Sequence, residues 1–396
     1  MATWNTKIPA RFIDFGNKVL RSDNYIFGVK LVANGGGFGT WMHIDENENI
    51  VDLPNDYFEN HPIYKEFNEE NIKSFDDDVI MMYIPKFYIR TADGDKFWIA
   101  PDPKNEESVQ DLKDRGFRLH PAFYTGYTRE GAKREYDGFY IGAYPLSKTN
   151  NNLALSTARN KTMALVGEPV SNYSTYCTNR NVAGADDYHM WTIYELSAIQ
   201  MLALLEHKTT NLQKVCGRGR VSSDKVGQNG DEKVGSGPAS AKYRGIYALW
   251  GNAWQLVDGI KSDKNNTLLL WAGDGRRDDS NIKEYGTTGI ILPNKKTANE
   301  IYIAGENSGY YNKALTDVGA RYNCSDMFLP DFTTLTARME LGTYSDYVYC
   351  PVGNDVTLCA VGGSYNSEDE AGLFAYNFNI LPSKDYDNVT SRLAKY

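Results

Sequence analysis

The segment from Trp191 to His207, WTIYELSAIQMLALLEH, constrains the fold of this chain more than any other. Thr192 and Glu195 stand at capping-box spacing, where a hydroxyl and a carboxylate each satisfy a free amide at the start of a helix. Trp191 and Leu196 occupy the staple positions on either side. Ile193, Leu196, Ile199, Met201, Leu202, Leu204 and Leu205 nearly encircle the helical wheel. A helix that is apolar all round must be covered on every side, so this one belongs inside the protein. His207 and Lys208 suit the negative end of its dipole.

At 396 residues the chain is long enough for a sizeable core or for two units. Hydrophobic residues make up 41% and charged residues 23%, a globular balance that excludes wholesale disorder. The net charge of −9 excludes a nucleic-acid binder, which needs clustered Lys and Arg for phosphates. No segment is apolar for long enough to insert in a membrane; the best run, Ala198 to Leu205, is short and interrupted by Gln200. The N-terminal MATWNTKIPARFIDF has no continuous apolar stretch of the secretory kind. Five Cys (Cys177, Cys216, Cys324, Cys350 and Cys359) are widely spaced, with no CxxC and no zinc spacing. They are expected to be reduced thiols, in a chain made in a cytoplasm.

From Asp45 to Asp78 there are twelve acidic residues against two Lys. With Gly35-Gly36-Gly37-Phe38-Gly39 before it, this stretch reads as a separate N-terminal unit or attachment arm, and the glycines as a turn or hairpin tip. They match neither a P-loop nor a dinucleotide fingerprint. At Val79 the character changes. Val79 to Arg90 is β-rich, Asp93-Gly94 makes a hairpin turn before Lys96 to Ile99, and another strand follows at Gly138 to Tyr144. A boundary is therefore expected near residue 75. Residues 217–245 hold seven Gly and read as a long loop or loose hairpins.

Three landmarks then come in order: the capped helix; GIYALWGNAWQLVDG, from Gly245 to Gly259; and LCAVGGSYN, from Leu358 to Asn366. The last is followed by AGLFAYNFN, Ala371 to Asn379, and NVTSRL, Asn388 to Leu393. As an ordered set they resemble the C-type-lectin-like fold of the formylglycine-generating-enzyme superfamily. The second resembles its GNVWEWV segment, and the third its RGGSW strand and closing strand. Within that superfamily the C-terminal pattern is most similar to phage tail-tip and diversity-generating-retroelement variable proteins. IPKFYIR and DGFYIGAY resemble the opening strands of such proteins. The resemblance covers residues 76–396. It departs from the family at Tyr365, where Trp is usual, at Gln255-Leu256, where Glu-Trp is usual, and at Arg392, which sits in Ser-Arg-Leu rather than Gly-Phe-Arg.

The resemblance implies an α+β, C-type-lectin-like domain over residues 76–396, with small twisted antiparallel sheets, two helices and long loops. A small β-rich unit, residues 1–75, precedes it and serves attachment or assembly. Catalysis is not expected. The oxidase members carry redox Cys shortly after the GGSW strand, and the thirty residues after Gly363 contain none. The iron-dependent relatives need a His cluster, whereas His43, His61, His120, His189 and His207 are scattered. A sugar-binding calcium site is not expected either, because Leu329-Pro330-Asp331 lacks the first carboxyl or amide and Trp-Asn-Asp is absent. No cofactor is expected. Structural calcium remains open at Asp-rich loops such as Asp274 to Asp279, although Arg276 and Arg277 there favour a solvated turn.

The chain carries 28 Tyr, seven of them after Thr343: Tyr344, Tyr347, Tyr349, Tyr365, Tyr376, Tyr386 and Tyr396. Tyr supplies rigid contact area while Asn and Ser supply adaptable hydrogen bonds, the physics of an antibody paratope. Residues 343–396 are therefore the candidate ligand-binding face. The candidate contacts are Tyr365, Asn366, Phe374, Tyr376, Asn377, Asn379, Lys384, Tyr386 and Asn388. In Phe374 to Asn379 the alternation suggests one side committed to the core and the other to a ligand; aromatic packing under a neighbouring subunit is the competing reading. The resemblance implies a virion protein at a phage tail tip, a homotrimer that recognises a host-cell surface protein or glycan and contacts other tail proteins. A non-catalytic structural tail or baseplate component is the alternative, and a formylglycine-generating-type oxidase the weaker one.

Overall fold

The structure, a computed structural model, describes residues 18–19, 25–35, 38–92, 96–127, 133–159, 162–182, 187–229, 241–271, 285–292, 301–303, 327–329, 336–337, 346–349 and 355–396. It is a mixed α and β protein built from small, mainly antiparallel sheets and few helices. Of the six α-helical segments among the described residues, only Glu106–Asp114 and Ile193–His207 are longer than seven residues. No helix among them is long and apolar enough to cross a membrane.

The helix Ile193–His207 begins where the capping box places it. The Thr192 hydroxyl accepts from the Glu195 amide (3.3 Å), and a Glu195 carboxylate oxygen accepts from the Thr192 amide (2.7 Å). The other carboxylate oxygen lies 2.7 Å from His189 Nε2, so one buried Glu closes the cap and anchors the preceding strand. Every residue from Ile193 to Leu205 is buried. Lys208 ends the helix in the left-handed region (φ 53°), its amide donating to Leu204 O (2.8 Å).

Three sheets surround this helix. The first runs Phe38–Ile44, Phe27–Gly35, Lys96–Pro101, Phe87–Ala92, Arg118–Leu119. Ala92 pairs with Lys96, as the hairpin reading requires, though Asp93 and Gly94 lie outside the described residues. The second runs Tyr188–Met190, Leu393–Lys395, Gly138–Gly142, Val79–Pro85, Lys73–Asp76, so the chain's last strand closes between elements from its first half. The third has nine strands among the described residues, with Trp254–Ser262, Thr357–Gly362 and Gly372–Ile380 side by side at its centre.

The change of character near residue 75 is not a change of core, and Lys73–Asp76 pairs with Val79–Pro85 across it. Phe27 pairs with Ile99, which ties the early hairpin to strands beyond residue 75. Phe27, Trp41, Tyr57 and Tyr64 share one hydrophobic cluster with the helix and with Leu373, Phe374, Tyr376 and Phe378. Tyr64 Oη donates to Leu202 O (2.8 Å), and His43 Nε2 lies 2.7 Å from Leu205 O. A helix without a polar face needs cover from every direction, and the first 75 residues supply part of it. Trp250 joins this cluster, whereas Trp254 lies in a second one with Leu256, Ala360 and Leu393.

Candidate functional site

The C-terminal landmark folds as a strand, a glycine pair, a tight turn and a second strand. Gly362 and Gly363 have φ of +94° and +83°, and a Cβ on Gly362 would stand 2.8 Å from Leu249 O, so both the backbone and the space exclude other residues. The turn is then fixed by Ser367 Oγ, which accepts from the Ser364 amide (2.9 Å), and by Ser364 Oγ, which donates to Asn366 Oδ1 (2.8 Å). Tyr365 leaves this turn half-buried beside Ala164, Val226 and Ala253, while Asn366 is exposed.

The strand Gly372–Ile380 settles which side of the alternation faces in. Phe374, Tyr376 and Phe378 point to the central helix and are 5%, 1% and 0% exposed. Tyr376 Oη donates to Phe328 O and accepts from Gln200 Nε2 (3.1 Å), and that amide also donates to Leu373 O (2.9 Å). Burial holds the Tyr376 phenol above its ordinary range. Phe374 and Tyr376, expected as ligand contacts, therefore lie in the core. The large rings filled the inner side because a strand beside an all-apolar helix gains most by burying them there. Ala375, Asn377 and Asn379 take the other side, where the two amides are half-buried. Asn377 Oδ1 accepts from the Asn379 amide (2.9 Å).

Lys384, Tyr386 and Asn388 follow in the loop after this strand. Lys384 is exposed; Tyr386 and Asn388 are half-buried. The loop is pinned at three points: Val170 N donates to Lys384 O, Gly167 N to Tyr386 O, and Trp254 N to Asn388 O. Tyr386 Oη also accepts from Leu381 N (2.9 Å). Val166 and Tyr365 pack against the same small cluster of Ala164, Val226 and Ala253, and Gly167 bonds Tyr386, so segment 164–170 connects the neighbourhood of Tyr365 to the Lys384–Tyr386 loop. The structure thus brings Tyr365, Lys384 and Tyr386 around one segment, with Asn366 beside Tyr365 and Asn388 held by Trp254 at the end of the loop. Asn377 and Asn379 remain on the strand.

Sequence reasoning missed the rim of this surface. Residues 217–229 are not loose: Ser223 N donates to Tyr365 O (2.7 Å), Glu368 N to Val221 O (2.8 Å), and Asn252 N to Arg220 O (2.6 Å). Arg218 and Asp369 form an exposed ion pair across them (2.9 Å). No local signal foretells contacts made across some 150 residues.

Arg392 holds the scaffold from behind. It is fully buried, its Nε donates to Gln255 Oε1 (2.9 Å), and its other nitrogens donate to Gly142 O (2.7 Å), Tyr247 O (2.8 Å) and Ala248 O (3.1 Å). With an amide at position 255 instead of a carboxylate, these partners are all neutral. Burial lowers the guanidinium to about 9.

Burial pushes the Cys216 thiol up to about 12 and the Cys359 thiol well above its ordinary range, which disfavours the nucleophilic thiolate. Burial also lowers His43 and His61 to about 4, and each bonds a backbone carbonyl. Among the described residues no group of three or more His, Cys, Asp or Glu is placed to hold a metal ion. Asp274 to Asp279, Cys324, Pro330, Asp331, Tyr344 and Cys350 lie outside the described residues, as does the side chain of Tyr347.

No protein-family profile matches the chain, and no curated protein matches it. Among solved structures it is similar to the Major Tropism Determinant U1 variant, at 10% identity and a TM-score of 0.30, over 80% of this chain and 63% of that one. It therefore spans less than two thirds of that protein's length. It is also similar to the M1 variant (10% identity, TM-score 0.30) and the P3c variant (8% identity, TM-score 0.30), covering 82% of this chain and 82% of each.

Proposed function

We propose that this chain is a non-enzymatic receptor-binding protein of a phage tail tip, presenting a ligand surface on a C-type-lectin-like scaffold. The observation that carries the reading is the surface around segment 164–170, where Tyr365, Asn366, Lys384, Tyr386 and Asn388 sit on loops fixed by backbone hydrogen bonds. Rigid presentation of half-buried Tyr beside exposed amide and ammonium groups is what a recognition surface needs. The ordered sequence landmarks supply the phage context, and with it the proposals of a homotrimer, of attachment to other tail proteins through residues 1–75, and of retroelement diversification of the Gly362–Arg392 region. Binding of the recombinant protein to whole host cells tests the reading. A near-copy of the Gly362–Arg392 coding region in neighbouring DNA, differing only at adenines, tests the diversification.

One feature favours the alternative of a structural tail component. The outer side of the second sheet carries Tyr83 opposite Tyr140, then Lys395 and Tyr188 in the same row, with Phe75 38% exposed against Tyr140. An aromatic row of this kind suits packing against a neighbouring subunit. A protein that assembles into a multimer and binds no cells would support that reading.

A further inference from the structure

The turn that carries Tyr365 and Asn366 runs on into Glu368, which is exposed. Its backbone is held on both sides by the rim. Glu368 N donates to Val221 O (2.8 Å), and Gln213 Nε2 donates to Glu368 O (3.1 Å) and to Ala371 O. Glu368 adopts a φ of +49°. Gly enters that left-handed region freely, whereas a residue with a Cβ enters it at a cost. The rim therefore imposes a conformation that would suit Gly, on a residue with a long charged side chain.

Other charged residues in this conformation have a use for the side chain within the protein. Arg244 pairs with Glu206 (2.7 Å), and Glu48 pairs with Lys96 (2.8 Å). The Glu368 carboxylate has no partner among the described residues, and its neighbours are already committed. Asp369 holds Arg218 (2.9 Å), while Glu370 is buried and accepts from Tyr349 Oη (2.7 Å). A side chain that bonds nothing in the chain, on a backbone position that disfavours it, adds nothing to the fold. Strain of this kind gathers where a chain meets its ligands.

We propose that Glu368 is a further contact residue of the surface around Tyr365, and that it meets a cationic group, an ammonium or a guanidinium, on the receptor. The proposal rests on the receptor-binding reading. Glu368 lies at the exposed rim, so its contribution is ionic and screened by salt. The test is flow-cytometric binding of the labelled full chain to host cells at low and high NaCl, with the melting temperature read on the same preparations. Glu368→Gln leaves the backbone as it is and removes the charge. It should keep the wild-type melting temperature and weaken binding about fivefold at low salt, the difference closing at high salt. Glu368→Gly relieves the backbone; it should melt no lower than wild type and lose the same affinity. A residue kept for the fold would move both readings together. Either variant binding as tightly as wild type at low salt overturns the proposal, as does a loss that persists undiminished at high salt. A lower melting temperature for Glu368→Gln gives the side chain a structural role and overturns it too. If Tyr365→Ala/Asn366→Ala/Lys384→Ala loses binding while both Glu368 variants keep it, the Glu368 contact alone fails. Wild-type protein that binds no host cells removes the receptor reading and this contact with it.

Discussion

Replacing Tyr376 separates a core residue from a ligand contact. The side chain is 1% exposed, beneath the central helix and bonded to Gln200 and to Phe328 O. Truncating a buried aromatic to Ala costs about 3–5 kcal/mol in lost transfer energy and residual cavity. Taking the partner from the Phe328 carbonyl and one of two bonds from the Gln200 amide adds about 1–3 kcal/mol. Tyr376→Phe keeps the ring and isolates that second contribution. Against a total stability of about 5–15 kcal/mol, the Ala variant stands close to unfolding while the Phe variant remains folded. Urea unfolding followed by tryptophan fluorescence should rank the midpoints wild type, then Phe, then Ala. A Tyr376→Ala protein within about 1 kcal/mol of wild type that has lost cell binding would refute the reasoning. It would place the ring on the ligand side of the strand.

Other expectations follow from the same interior. Arg392→Met removes the donor from Gln255 Oε1 and from the Gly142 and Tyr247 carbonyls, while Ala248 O keeps its bond from Gln255 Nε2; it should cost about 3 kcal/mol or more, read as a lower melting temperature or loss of soluble protein. His43 and His61 titrate near 4 when folded and near 6.5 when unfolded, so below 6.5 the unfolded chain takes up protons that the folded chain refuses. Stability should be complete above pH 6.5 and fall as pH drops toward 4, by on the order of 3 kcal/mol for each His, and a His61→Gln variant should show a shallower fall in melting temperature over that window. The proposed trimer should appear in light scattering at micromolar concentration; a monodisperse monomer counts against it.

How far the sequence reached depended on the range of the interactions. The start of the helix at Thr192 was legible because its cap is made by residues three apart, and its burial because seven large apolar side chains leave no polar face. The Gly362-Gly363 pair was legible only as part of a family-like landmark; that both residues turn the chain with positive φ is seen only in the structure. The inner side of Gly372–Ile380 was not, because Gln200 and Phe328 decide it from about 175 and 50 residues away. Alternation shows that a strand has two sides but not which is covered. The covering role of the described residues before 75 was hidden in the same way: Phe27 and Trp41, from the glycine-tipped hairpin, and Tyr64, from the acidic stretch, join a core whose other members come much later in the chain.

The central claim is that recognition uses the fixed surface around segment 164–170. Its most direct test is flow-cytometric binding of labelled protein to host cells, comparing wild type with Tyr365→Ala/Asn366→Ala/Lys384→Ala. These side chains are half-buried or exposed, so the variant should keep the wild-type unfolding curve. Losing contacts worth about 2 kcal/mol should weaken binding roughly thirtyfold. Undiminished binding by a correctly folded triple variant would contradict the account.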